Sequence, residues 1–168
     1  MLRIGVIGAE STGKSTLCRQ LSEQYGWLWI KEYARTYVEN LRRPYTYDDV
    51  LRIARQQIAE LNAQYNEQVI LYDTELIITK VWMQHKYGKV AAEVVQAICE
   101  QPMDLYLILA PDIAAQPDPV RENLDRREYF FEWYIREVEQ TKRPYCIIRG
   151  TGDTRTTEAV KAIQKILK

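Results

Sequence analysis

The sequence predicts a three-layer α/β/α domain built on a five-stranded parallel sheet. Three observations carry this. Apolar runs of four to seven residues recur along the chain and are nearly continuous in hydrophobicity, as strands covered on both faces are. Long stretches with helical spacing of apolar residues separate them, and strands alternating with helices imply parallel pairing. A glycine-containing turn joins the first apolar run directly to the first helical pattern.

The strand candidates are residues 2–7, 27–30, 69–72, 105–110 and 145–149. The first helix, 15–25, places Leu17, Cys18 and Leu21 on one face. The second, 48–65, does the same with Leu51, Ile58 and Leu61, and Thr46 with Asp49 offers a capping box at its start. Helical patterns also cover 73–87, 90–100, 125–139 and 154–167. The segment 111–119 breaks the rhythm: rich in Pro and Asp, it reads as a loop over the sheet, followed by a charged run from Arg121 to Glu128.

A chain of 168 residues is one domain's worth and needs no staple. With no repeat or linker, residues 1–168 read as a single domain with a lid at about 112–127. Lys and Arg total 23, as do Asp and Glu, so the zero net charge argues against a nucleic-acid binder. Cys18, Cys99 and Cys146 lack metal or dithiol spacing and read as reduced, mostly buried thiols. No apolar stretch approaches the length of a membrane span, and the start has no signal-peptide pattern, so a soluble cytoplasmic protein is expected. Oligomeric state is left open.

Gly8-Ala9-Glu10-Ser11-Thr12-Gly13-Lys14-Ser15 matches the phosphate-loop pattern G-x-x-x-x-G-K-[ST] at every fixed position. A chance match in a chain of this size is below about 1%, and the motif follows a strand and opens a helix, as its mechanism requires. The fold expected is therefore that of a P-loop NTPase, and the motif does not say what receives the phosphate. Gly8 and Gly13 let the backbone wrap phosphates, and the helix start adds its dipole. Lys14 reaches the β- and γ-phosphates of ATP and the Ser15 hydroxyl ligates Mg²⁺, with Thr16 beside it. Glu10, Ser11 and Thr12 complete the ATP-binding loop.

Asp73 ends an apolar strand where an acid either holds the Mg²⁺ shell or takes the acceptor's proton; the alternative is a helix N-cap. Glu32, Tyr33 and Arg35 follow the second strand, at the edge where ligands bind. They read as substrate contacts, against the alternative of a surface ion pair. Arg121, Arg126 and Arg127 follow the Pro/Asp loop, where a lid could bring positive charge to the transferring phosphate. Their alternative is a solvated helix start. Gly150–Thr154 reads either as an adenine-side loop or as a plain turn. His85 and the aromatic cluster 129–134 read as structural packing.

The stretches 8–17 (GAESTGKSTL), 31–37 (KEYARTY), 72–88 (YDTELIITKVWMQHKYG) and 104–121 (DLYLILAPDIAAQPDPVR) together resemble a known family, the ribosylnicotinamide kinase domain of NadR-type proteins and its stand-alone AAA-ATPase-like relatives. The resemblance implies ATP- and Mg²⁺-dependent phosphorylation of the 5′-hydroxyl of nicotinamide riboside to nicotinamide mononucleotide. By position it gives Lys14 and Ser15 to ATP and Mg²⁺, Glu32 and Arg35 to the nucleoside site, Asp73 to the acid after the third strand, and Arg121 to the lid. The sequence departs from the family at Lys31, where some relatives have Trp, at Ala114-Ala115, often Pro-Trp, and at Glu75, often Asp. The adenylyltransferase and DNA-binding regions of NadR have no counterpart in these residues. The expectation is a small-molecule kinase with either Asp73 or Glu32 as base and a nucleoside-like acceptor. Another nucleoside or metabolite kinase, or a nucleotide-dependent regulatory ATPase, stands as the alternative.

Overall fold

A computed structural model describes residues 1–117 and 121–167. Five parallel strands form one sheet: β1 (Leu2–Gly8), β2 (Leu28–Ile30), β3 (Val69–Asp73), β4 (Leu105–Leu109) and β5 (Tyr145–Ile148), in the order β2-β3-β1-β4-β5. The helices are α1 (Lys14–Tyr25), α2 (Tyr33–Glu39), α3 (Tyr47–Asn62), α4 (Leu76–Tyr87), α5 (Ala92–Glu100), α6 (Arg127–Thr141) and α7 (Asp153–Leu167). A 3-10 turn, Leu124–Arg126, leads into α6.

The continuous hydrophobicity of the strands has a direct structural reason. In β3, Val69 and Leu71 belong to one core, with Leu17, Cys18 and Leu21 of α1 and Ala159 and Ile163 of α7. Ile70 and Tyr72 belong to the other, with residues of α3, α4, α5 and α6. Alternate side chains thus enter different cores, and both need to be apolar. Gly5 in the central strand makes room for a neighbour: a Cβ there would lie 2.9 Å from the ring of buried Tyr106.

Local signals set the helix boundaries. The capping box before α3 forms, with the Thr46 N–H donating to Asp49 Oδ2 at 2.8 Å. α4 starts three residues later than the sequence pattern suggests. Asp73 stays in the strand, Thr74 adopts a left-handed φ of 68°, and the Glu75 carboxylate caps the helix by accepting from Ile77 N–H at 2.9 Å. The N-cap alternative for Asp73 is thereby removed. The three cysteines are unpaired, but only Cys18 is buried; Cys99 is exposed and Cys146 half-buried, contrary to the expected burial.

In a parallel sheet all strand C-termini share one edge, and ligands bind there, at the point where the strand order reverses. Here that point lies between β1 and its neighbours β3 and β4. β1 delivers residues 8–15, β3 delivers Asp73, and the segment after β4 meets the loop of residues 8–15, where Gln116 N–H donates to Ser11.

Candidate active site

The phosphate loop is held in shape by its own side chains. Ser11 (φ 56°) and Gly13 (φ 80°) are left-handed, an alternation that turns successive amides toward a common centre. At Gly8 a Cβ would lie 2.8 Å from Thr12 Oγ1 and 2.9 Å from the Leu109 carbonyl, so glycine is required. The buried Thr12 hydroxyl donates to the Ala9 carbonyl at 2.8 Å. Its side chain therefore braces the loop from inside. Lys14 Nζ donates to the carbonyls of Gly8 and Ala9, both at 3.1 Å, and so lies across the loop.

The loop opens into a cavity of 420 Å³. Gly8, Glu10, Ser11, Thr12, Gly13, Lys14, Ser15 and Thr16 line one part of it, and Glu32 and Arg35 line it as well. Arg35 pairs with Glu39 at 3.7 Å, and both Arg35 and Glu32 line the cavity. Burial pushes the Glu32 carboxyl above its ordinary range, and the Lys14 and Arg35 charges act against this.

Asp73 lies beside the cavity, not in its lining. It is 2% exposed, and neither carboxylate oxygen has a hydrogen-bond partner among the described residues. Thr74 Oγ1 and Trp29 Nε1 are likewise buried without partners. Burial raises the Asp73 carboxyl, with the Ser15 hydroxyl and the Lys14 charge nearby opposing it. Orphaned carboxylate oxygens next to a phosphate-loop hydroxyl fit Mg²⁺, which binds through one or two protein oxygens plus substrate phosphates. No cluster of three or more acidic, His or Cys side chains exists among the described residues, so an all-protein metal cage is absent from them.

Much of the remaining lining is aromatic: Tyr45, Trp82, His85, Phe130 and Tyr134, with Ile78 on the same helix face as Trp82 and His85. Tyr45 and Trp82 meet edge-on at 4.9 Å, and His85 meets Phe130 at 5.0 Å. His85, Phe130 and Tyr134 were read from the sequence as packing alone; the structure gives them a second face on the cavity. Tyr45 and Trp82 went unnoticed. The spacing of Ile78, Trp82 and His85 at i, i+4 and i+7 after Asp73 was the available signal.

Other expected site residues lie elsewhere. Tyr33 packs on Tyr37 at 5.8 Å and borders a separate small cavity beneath β3. Arg126 stacks on the Tyr129 ring at 4.5 Å and does not line the main cavity. Arg121 does line it, donating to the Gln116 carbonyl. Part of the expected lid, residues 118–120, lies outside the described residues.

The segments flanking those residues are fastened to the phosphate loop by contacts the sequence did not reveal. Glu10 accepts from the N–H groups of Glu122 (3.1 Å) and Asn123 (2.9 Å), and Ser11 Oγ accepts from Gln116 N–H at 2.8 Å. These two side chains hold the lid segment to the loop. Arg127 donates to the carbonyls of Ser11, Pro111 and Ile113. Buried Arg155 donates to those of Thr12, Ala110 and Gly150, and to Asp112. Asp112 Oδ2 also accepts from Gly150 N–H at 2.8 Å, and Gly150 and Gly152 are both left-handed, so residues 150–152 form a turn.

With this geometry in view, residues 3–155 match the AAA domain family. The chain belongs to that family. It is 25% identical over 135 residues to the trifunctional NAD biosynthesis/regulator protein NadR of Escherichia coli K12, and 24% identical to that of Salmonella typhimurium LT2, covering 75% of this chain and 33% of either relative. A crystal structure of NadR protein in complex with NR superimposes with a TM-score of 0.83 at 27% identity, over 98% of this chain and 51% of that one. Deoxyadenosine kinase from M. mycoides shares the fold at a TM-score of 0.69 and 14% identity, over 98% of this chain and all of that one. The chain thus resembles the NadR kinase domain and spans a third to a half of the NadR proteins it matches. None of the described helices is long and apolar enough to cross a membrane.

Proposed function

We propose that the protein is an ATP- and Mg²⁺-dependent kinase of a nucleoside-like alcohol, and that its acceptor is the 5′-hydroxyl of nicotinamide riboside. The observation that carries this is the cavity itself. A phosphate loop, a carboxylate raised by burial and an aromatic wall line one 420 Å³ space, which suits a nucleoside facing a triphosphate. Similarity to NadR with bound NR supports the choice of acceptor. A cationic pyridinium also suits walls of Tyr and Trp faces. Lys31, which would oppose such a cation, is exposed, lies over the Trp29 ring at 5.3 Å and does not line the cavity.

In this mechanism Glu32, which lines the cavity, is the base and Asp73, buried beside Ser15, serves the metal. Mg²⁺, when bound with ATP, supplies positive charge to the β- and γ-phosphates. Glu32 accepts the proton of the acceptor hydroxyl as its oxygen bonds to the γ-phosphorus. The bond from that phosphorus to the β,γ-bridging oxygen breaks and ADP leaves. Lys14 and Arg121 neutralise the charge that develops on the transferring group.

The test is ATP consumption with Mg²⁺, with and without nicotinamide riboside, in wild type and Lys14→Ala. The expected result is Lys14-dependent formation of nicotinamide mononucleotide. No stimulation by nicotinamide riboside, with Mg·ATP still bound, would reject this acceptor and call for a panel of other nucleosides. Stimulation by none of them would leave a regulatory ATPase.

A further inference from the structure

Glu122 joins the two ends of the cavity. Its main chain is held from the phosphate end, where Glu10 accepts its N–H at 3.1 Å and that of Asn123 at 2.9 Å. Its side chain is held from the aromatic end. Tyr45 O–H donates to Glu122 Oε2 at 2.6 Å, and Lys86 Nζ donates to Oε1 and Oε2 at 3.1 and 3.2 Å. The Tyr45 oxygen also accepts from Lys86 Nζ at 2.6 Å and from Trp82 Nε1 at 3.1 Å. One donation and two acceptances exhaust a phenol's capacity, so this oxygen is a saturated junction. Lys86 is held over the Tyr45 ring as well, at 3.8 Å from its centre. Arg121, directly before Glu122, lines the cavity.

Lys86 and Glu122 are 35% and 47% exposed, so their attraction adds little to global stability. Their placement matters more. Trp82 and Tyr45 form the wall the acceptor would touch, and the same phenol oxygen that takes the Trp82 N–H grips Glu122. Whatever seats against that wall therefore acts on the junction that fixes the residue next to Arg121.

We propose that Glu122, gripped by Tyr45 and Lys86, is a positioning residue that sets Arg121 over the cavity according to the state of the acceptor wall, making phosphoryl transfer depend on a seated acceptor. The proposal rests on the kinase reading above, and its test separates the two. Hydrogen exchange of the Glu122 and Asn123 amides in Lys86→Met and Tyr45→Phe needs no knowledge of the acceptor. Exchange at both amides should rise about tenfold while the melting temperature stays near wild type. Unchanged exchange overturns the proposal whatever the enzyme phosphorylates. In turnover assays, Glu122→Gln should lower kcat about tenfold and leave KM for ATP and acceptor within about threefold. The Tyr45→Phe/Glu122→Gln double variant should be no worse than either single variant, as expected of one unit. A loss confined to acceptor KM, or additive losses, would show that Glu122 only lines the pocket and would overturn it. If exchange rises but nicotinamide riboside is not phosphorylated, the chosen acceptor fails and the positioning link stands.

Discussion

The phosphate end of the cavity comes from one short run of the chain, Gly8 to Thr16, whereas the proposed acceptor end is collected from α2, the loop before α3, α4, the segment after β4, and α6. The first end is mostly backbone, bent by Gly13 and Ser11 and braced by Thr12. The second is mostly side chains, each placed by a different element. A backbone-built site tolerates few changes of residue type because its glycines and its lysine have no substitutes. A wall of side chains can be altered one ring at a time. The two ends should therefore fail differently when mutated.

The largest effect is expected at the phosphate end. In the proposed mechanism Lys14→Ala removes a charge that neutralises the transferring phosphate, and kcat should fall by about 10²–10³ or more. Mg·ATP titration of the variant then tells whether the loss lies in binding or in turnover.

Next come the two acids, Glu32 in the cavity lining and Asp73 beside it. Glu32→Gln should lower kcat by about 10²–10⁴, with acceptor binding retained. Burial raises the Glu32 carboxyl, and the base must be ionised to act, so wild-type kcat/KM should fall as pH drops through a value above the ordinary Glu range. That acid limb should vanish in Glu32→Gln. Asp73→Asn should instead need about tenfold more Mg²⁺ for half-maximal rate, and saturating Mg²⁺ should restore much of the activity. If the acid limb survives in Glu32→Gln and disappears in Asp73→Asn, the two roles are exchanged.

The same contrast explains what could be read from the sequence. The phosphate loop was legible because its pattern is local: eight residues carry the whole motif, and it lies between β1 and α1 as such a motif requires. The sheet was legible because β1, β3 and β4 feed two cores and so cannot alternate. The aromatic wall was not. Tyr45 and Trp82 are 37 positions apart, and nothing in either segment signals that α3 and α4 will bring them together. The Arg155 contacts span 143 positions to Thr12. Tyr33 and Arg126 lie outside the lining of the main cavity, packed on Tyr37 and Tyr129, and the sequence carries no signal for these ring contacts.

At the acceptor end a smaller effect is expected. Trp82→Ala removes one ring from a wall of several and also frees one acceptor site on Tyr45. KM for the acceptor should rise about 10- to 100-fold, in line with the loss of one stacked aromatic, while KM for ATP stays near wild type. Equal rises in both would mean that the two ends are not separable and would remove the basis of the comparison.

The smallest effect belongs to a residue beneath both ends. Glu75 is 4% exposed and caps α4, the helix that carries Ile78, Trp82 and His85 to the cavity. Burial pushes its carboxyl up to about 8. A group whose folded pKa lies above its unfolded value binds protons more tightly when folded, so its contribution to stability is complete below the unfolded pKa and is lost as pH rises through the folded one. The wild-type protein should therefore lose stability between about pH 4.5 and pH 8 as this buried carboxyl is forced to ionise. Glu75→Gln keeps an oxygen for the Ile77 N–H and carries no charge. It should melt a few degrees higher than wild type at pH 8, roughly what 1 kcal/mol produces in a domain of this size, and at the same temperature as wild type near pH 4. Because Glu75 touches neither phosphate nor acceptor wall, both KM values should stay unchanged at pH 7. A variant that melts higher at pH 8 but loses acceptor affinity would show that the charge on Glu75, and not only the cap, helps to place α4.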